Sequence, residues 1–199
     1  MRRLVLPPGL VVALLLAGPP AHAQGVEVGI FGGYGFGGSL ISSVGFQEVP
    51  IDSGMTYGAT AAVEVAPAWL IEAMVSRRES RIRRAAPGVR LKVDVERYMA
   101  GVRGDTVAGR FRAFGSFMLG ATRFVPAGSE GETWFTIGMG IGAKTTVASH
   151  VGFRFEARGY YTPVSISGRV FCGGYACLVD YTGSGMFQGD VSAGVFFAF

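Results

Sequence analysis

The chain holds few of the residues on which enzymes and metal centres depend, with two cysteines and two histidines among 199 residues. Cys172 and Cys177 have no histidine beside them, and two thiols alone make a poor metal site. No metal and no cofactor is expected. His22 falls in the N-terminal segment, and His150 lies beside the turn between the sixth and seventh strands of the fold derived below. Because His150 lies beside a turn on the periplasmic side, a serine–histidine mechanism has no partner on the outer side, where a lipid-modifying site would need one, and enzyme activity is not expected, although a carboxylate-based site stays open. Long apolar runs are missing too. From Gln24 onward none reaches the roughly 20 residues that a membrane-spanning helix needs. Charge of one sign is also scarce. There are 18 basic and 14 acidic residues, and without Arg2 and Arg3 the remainder carries 16 against 14, a net +2. That balance gives nucleic-acid binding no support.

Residues Met1 to Ala23 combine a basic start at Arg2 and Arg3, an apolar stretch from Gly9 to Ala17, and the small-x-small triplet Ala21-His22-Ala23. This pattern predicts a secretory signal peptide cleaved after Ala23. Pro7, Pro8, Pro19 and Pro20 interrupt the segment and argue against a retained helical anchor. No cysteine follows it, so lipid attachment is not expected. Cleavage leaves Gln24 to Phe199, or 199 minus 23, which is 176 residues. That is enough for one domain.

What the chain has in quantity is glycine, 32 residues, and phenylalanine, 15 residues, under a positive mean hydropathy. An apolar average without a single apolar run is what strands produce when every second residue faces lipid. Period-two alternation begins with Val26, Val28, Ile30, Gly32 and Tyr34 on one face and Glu27, Gly29, Phe31 and Gly33 on the other. It returns from Met55 to Ala66, and again from Trp69 to Ser76 with Glu72 inward. Pro67-Ala68 forms a tight reversal between them. From Leu91 to Arg103 the phase slips, because Leu91, Val93 and Val95 share a face before Tyr98, Ala100 and Val102 take over. A β-bulge near Glu96 or Arg97 is expected to repair it. Four more alternating segments follow. Phe111 to Leu119 has Arg112 and Phe114 inward. Phe135 to Lys144 has three inward glycines, and Val151 to Tyr161 has Arg154, Glu156 and Arg158 inward. Val191 to Phe199 completes the set. The connections alternate between long and short, with long ones at about 37 to 54 and 77 to 90. The prediction is all-β, an eight-stranded antiparallel up-and-down transmembrane β-barrel with periplasmic termini and four outer loops.

The last strand reads Ser192-x-Gly194-x-x-Phe197-x-Phe199, which resembles the β-signal of outer-membrane barrels. With those residues, the mature chain resembles the small eight-stranded outer-membrane β-barrel family of Gram-negative bacteria. That group includes the transmembrane domain of outer-membrane protein A. The resemblance implies the cell outer membrane as location, the barrel-assembly machinery as a partner in biogenesis, outer-membrane lipid and lipopolysaccharide as surroundings, and a monomeric state. Nothing after Phe199 could hold peptidoglycan, so a tether to the cell wall is not expected.

The inward positions gather Glu27, Glu64, Glu72, Glu96, Arg112, Lys144, Arg154, Glu156 and Arg158. Acids dominate the first half of the chain and bases the second, so closure brings the two sets face to face. Eight strands leave room for side chains and little more, which favours a packed polar plug over a narrow or gated conductance. Ser76 to Arg84 is the one dense basic run, with Arg77, Arg78, Arg81, Arg83 and Arg84 placed in the second outer loop. Arginine grips phosphate oxygens in pairs, so these are candidates for lipopolysaccharide contact, with a solvated loop as the bland alternative. Cys172 and Cys177 fall in the fourth outer loop, where an oxidising envelope favours a local disulfide. Gly138 to Thr146 imitates a phosphate-binding loop but lacks its spacing and its helix.

The leading expectation is a non-enzymatic surface barrel that anchors four outer loops, in envelope integrity or contact with external partners. The alternative is a porin-like narrow channel or conduit for small or apolar solutes. A soluble lipocalin-like binder is a third class, and the apolar outward residues of the last three strands contradict it.

Overall fold

The computed structural model describes residues 25–41, 48–83, 90–106, 111–126, 131–163, 168–173, 176–181 and 185–199. The segment on which the signal-peptide expectation rests lies outside them. Twelve strands run along the chain: β1 (Val26–Gly37), β2 (Ser39–Ile41), β3 (Glu48–Pro50), β4 (Gly54–Ala66), β5 (Trp69–Arg83), β6 (Arg90–Asp105), β7 (Phe111–Pro126), β8 (Glu132–Ala148), β9 (Val151–Thr162), β10 (Gly168–Gly173), β11 (Ala176–Tyr181) and β12 (Met186–Ala198). Eight of them close a barrel in the order β1-β12-β9-β8-β7-β6-β5-β4. Every neighbouring pair is antiparallel. The remaining four form two short ladders, β2 with β3 and β10 with β11, in the connections at one end. That end is called the loop end, and the other, with the tight reversals at Pro67-Ala68 and Ser149-His150, the turn end.

Closure removes the free edges that a sheet would otherwise expose. The seam pairs β1 with β12 from Glu27 opposite Ala198 to Gly37 opposite Gln188. At the turn end, Val26 N–H donates to the Phe199 carbonyl at 3.1 Å and Phe199 N–H donates to the Val26 carbonyl at 2.9 Å. Alternation decides which face each side chain takes. Ile30, Ile71, Val75, Leu119, Met139, Ile141, Phe155 and Val191 stand exposed on the outer wall, while their neighbours are buried inside. Aromatic side chains ring both ends of this apolar wall. Trp69, Phe111, Phe153, Phe197 and Phe199 lie toward the turn end, and Tyr34, Tyr57, Phe135 and Phe187 toward the loop end. An apolar exterior between two aromatic girdles is the surface of a barrel that crosses a lipid bilayer.

The central strands are longer than a membrane requires. β6 and β7 hold 16 residues each and β8 holds 17, against about 9 to 11 for a crossing. They therefore project beyond the lipid at the loop end, and two expectations change as a result. The bulge near Glu96 or Arg97 is absent: β6 keeps continuous register with β5 from Trp69–Gly104 to Arg83–Arg90, and with β7 throughout. Val93 and Val95 are fully buried inside the barrel, on the same face as Arg97, Met99 and Arg103. Above the lipid the rule inverts, with apolar groups filling the lumen and polar groups facing water, so the apparent slip was a change of surroundings along one regular strand. The register irregularities that do occur sit beside turns, between Glu64 and Ala66 and between Thr146 and Ala148. The second change concerns the basic run from Ser76, which continues β5 as far as Arg83 and is not loop.

Candidate functional site

The lumen is the most elaborated part of the molecule, and it is built in layers from the turn end upward. At the turn-end mouth a cavity of about 280 Å³ is lined by Glu27, Glu64, Leu70, Asp105, Thr106 and Arg112, among others. Glu64 and Arg112 are exposed there.

Above the mouth lies a plug of ion pairs. Glu72, fully buried on β5, accepts from Arg154 on β9 at 2.7 and 2.9 Å and from Arg103 on β6 at 2.5 Å. Arg103 also holds Asp105 at 2.8 Å and pairs with Glu27. Lys144 on β8 joins the same two carboxylates, Asp105 at 2.6 Å and Glu27. Glu156 is gripped by Arg154 Nε at 2.9 Å and by Arg158 at 2.8 and 2.6 Å. Four carboxylates thus meet four cations, so the layer is neutral and no buried charge stands alone. Two inward aromatics cap the guanidinium planes, Phe114 under Arg154 at 4.5 Å and Phe31 under Arg158 at 4.9 Å. Space for this comes from glycine: a Cβ on Gly140 would sit 2.6 Å from Ser116 Oγ and 2.7 Å from Glu156 Oε1.

The next layer is apolar, with Met74, Met99, Met118 and Tyr160 packed together. Above it, Arg97 lies over the Tyr160 ring at 4.2 Å and donates to Gln188 at 2.8 Å. Arg78 donates to the Phe36 carbonyl at 3.3 Å. Starting beside Arg97, whose register partner is Thr122, the hydroxyls of Thr122, Thr136 and Thr162 form a chain at 2.7 and 2.9 Å. Val93, Val95, Phe124 and Ile51 are buried nearest the loop end.

Of the inward charges expected from sequence, Glu27, Glu72, Lys144, Arg154, Glu156 and Arg158 stand in one connected network. Glu64 and Arg112 occupy the same face but sit at the open mouth. Glu96 is the exception: it lies on the outer wall, 3.7 Å from Arg123 and within 3.3 Å of the Tyr98 hydroxyl. The expected bulge had turned it inward, and without the bulge it shares the outward parity of Tyr98. Sequence reasoning missed Arg103, Asp105, Arg97, Arg78 and Asp190. Arg97 lies where the phase slip was assumed, and Arg103 and Asp105 follow from continuing the alternation of Met99 beyond it. Asp190 follows from the same alternation in the last strand, two residues before the inward Ser192.

The basic run divides by parity. Arg77 faces outward and pairs with Asp94 at 2.5 Å, whereas Arg78 is fully buried in the lumen. Arg81 and Arg83 belong to the end of β5, and Arg84 lies outside the described residues. On the outer wall Tyr57, Arg77, Glu96, Arg123 and Thr133 form one row, each opposite the next across β4 to β8. Of the expected assembly signal, Ser192 and Gly194 are partly buried, and Phe197 and Phe199 are exposed outward. Cys172 and Cys177 are direct register partners in the β10–β11 ladder. Gly138 to Thr146 is plain strand within β8.

A closed eight-stranded barrel with an apolar girdled exterior and a filled, charged lumen defines the class as a small transmembrane β-barrel. Solved structures of that class share its fold. Neisserial surface protein A aligns over 87% of this chain and 97% of its own, at 16% identity and a TM-score of 0.62. The outer-membrane protein OprG of Pseudomonas aeruginosa aligns over 88% and 97%, at 12% identity and a TM-score of 0.56. The outer-membrane protein AlkL aligns over 92% and 94%, at 13% identity and a TM-score of 0.60. The fold is that of the small eight-stranded outer-membrane barrels. No family model matches the sequence, and no curated protein matches it.

Proposed function

We propose that this chain is a non-enzymatic barrel of a Gram-negative outer membrane, which holds four loops at the cell surface for envelope integrity or contact with external partners. The filled lumen carries this reading. The neutral plug and the methionine layer above it occupy the interior from wall to wall, and opening a path would separate several desolvated ion pairs at once. That leaves the outer surface and the loop end as the working parts. A surface role also fits the fold it shares with a protein named for the Neisserial surface. Of the arginines considered for lipopolysaccharide contact whose side chains are described, Arg77 stands on the outer wall. With Arg123 beside it across Glu96, it supplies the paired guanidinium groups that phosphate oxygens accept. Arg78, enclosed in the lumen, is not part of that surface.

Planar-bilayer recording tests the reading. Purified full-length protein should give no current above the bare lipid baseline, both as wild type and with Arg158→Gln. Steady unitary current in the wild type would favour the conduit instead. Loop cleavage by protease added to intact cells should cut the chain while the barrel core survives, and protection of all loops would contradict a surface role.

A further inference from the structure

The lower lumen balances its charge, and the upper lumen does not. Among the described residues on the inner wall, above the open mouth, six buried cations, Arg78, Arg97, Arg103, Lys144, Arg154 and Arg158, face five carboxylates, Glu27, Glu72, Asp105, Glu156 and Asp190. The plug uses four of each. Asp190, the register partner of Arg158, is then the one carboxylate of this set left for Arg78 and Arg97. Whichever arginine it joins, one guanidinium keeps an unmatched charge.

The hydrogen bonds show the same surplus. Arg78 and Arg97 are both fully buried, on adjacent strands and the same inward face, with Arg97 opposite Ser76 and Arg78 two residues further along β5. Each makes one bond, Arg78 to the Phe36 carbonyl and Arg97 to Gln188. Arg78 Nε and Nη2, Arg97 Nε and Nη1, and the Gln188 amide nitrogen have no hydrogen-bond partner among the described residues, against the two Asp190 oxygens and the Thr56 and Ser76 hydroxyls, which also have none. These are donors in excess, gathered in one place. Arginine holds its proton in proteins, so the pair cannot relieve the surplus by deprotonation as a buried lysine can. An isolated ion taken out of water costs several kcal/mol. What removes both the charge and the orphan donors is one negative charge with several lone pairs.

We infer that the loop-side half of the lumen, between Arg78, Arg97 and Gln188, binds a small monovalent anion of the halide class. One unit of excess charge sets the valence. Burial favours a small ion: both arginines are fully buried, Val95 is the register partner of Arg78, and Met99 lies two residues from Arg97.

Equilibrium urea unfolding of the full chain in phosphatidylcholine vesicles tests this, with sodium chloride as probe against sodium gluconate at equal ionic strength. Gluconate, a polyhydroxylated carboxylate, is far bulkier than chloride. The unfolding midpoint of the wild type should rise with chloride and saturate, while gluconate leaves it flat. Arg97→Gln should abolish the chloride dependence. Asp190→Asn removes the competing carboxylate and should lower the half-saturating chloride concentration about tenfold, as expected for one like charge withdrawn at short range. If Arg97→Gln fails to fold, as read from loss of the heat-modifiable gel shift, Asp190→Asn carries the test alone. Equal wild-type midpoints in chloride and gluconate would overturn the inference and leave the donors to water. An undiminished chloride effect in folded Arg97→Gln, or an unchanged half-saturation in Asp190→Asn, would overturn it as well.

Discussion

Glu72 on β5 and Arg154 on β9 meet across the barrel in a two-pronged ion pair, with Arg154 Nη1 2.7 Å from one carboxylate oxygen and Nη2 2.9 Å from the other. Eighty-two residues separate them in sequence. Because Arg103 binds the same carboxylate at 2.5 Å, Glu72 is where opposite walls of the plug are joined. Glu72→Gln leaves two arginines facing a neutral group and should destabilise the barrel by about 3 to 5 kcal/mol, the usual loss when one partner of a buried pair is removed. Adding Arg154→Gln restores neutrality and should recover part of that loss. Urea unfolding in lipid vesicles measures both, and a single variant as stable as wild type would show that the plug does not hold the walls together.

The outer wall gives a depth-dependent prediction. Met139 is mid-strand on β8 and 63% exposed, whereas Thr133 on the same face is at the loop end beside Arg123. Met139→Arg should cost about 2 to 4 kcal/mol and Thr133→Arg no more than about 1, as lipid-facing cations do with depth. Equal costs at the two positions would mean that the wall does not span a bilayer.

Ala68 has φ of 68°, in the left-handed region that disfavours a Cβ by about 1 to 2 kcal/mol. It follows Pro67, so the pair matches a type II turn, where proline suits the first central position and glycine the second. Ala68→Gly should stabilise the barrel by about 0.5 to 1 kcal/mol, after the entropy that glycine restores to the unfolded chain is subtracted. A higher urea midpoint with unchanged slope is the expected outcome, and a lower midpoint would refute it.

Cys172 and Cys177 stand opposite each other on paired strands, and directly opposed positions bring Cα atoms to about 4.5 to 5.5 Å, within disulfide range. Protein purified without reductant should therefore take up no maleimide label until it is reduced. Reduction should leave the unfolding midpoint of the barrel nearly unchanged, because the β10–β11 ladder lies outside the closed sheet. Immediate labelling of both thiols would show that no bond forms.

The eight barrel strands, the alternation and the apolar exterior were legible in the sequence, because in a closed antiparallel sheet every residue's face follows from a period of two and a lipid exterior makes one face apolar. The inward charges of β8 and β9 were legible for the same reason. Above the lipid that reason fails. Val93 and Val95 look outward by composition and are inward by geometry, and this one inversion hid Arg97 and turned Glu96 the wrong way. Parity also splits Arg77 from Arg78, neighbours in one basic run whose side chains end on opposite sides of the wall.

By itself, then, the sequence determined that this is a barrel and which residues line it through the membrane, since local alternation needs no knowledge of distant partners. Which charges meet was decided by the tertiary structure alone. Closure and strand stagger bring Glu72 to Arg154 and place Arg78 and Arg97 together on the inner wall above the plug. Ion pairing at a few ångströms depends on how strands are offset around the barrel, and that offset is a property of the closed sheet that no single strand encodes.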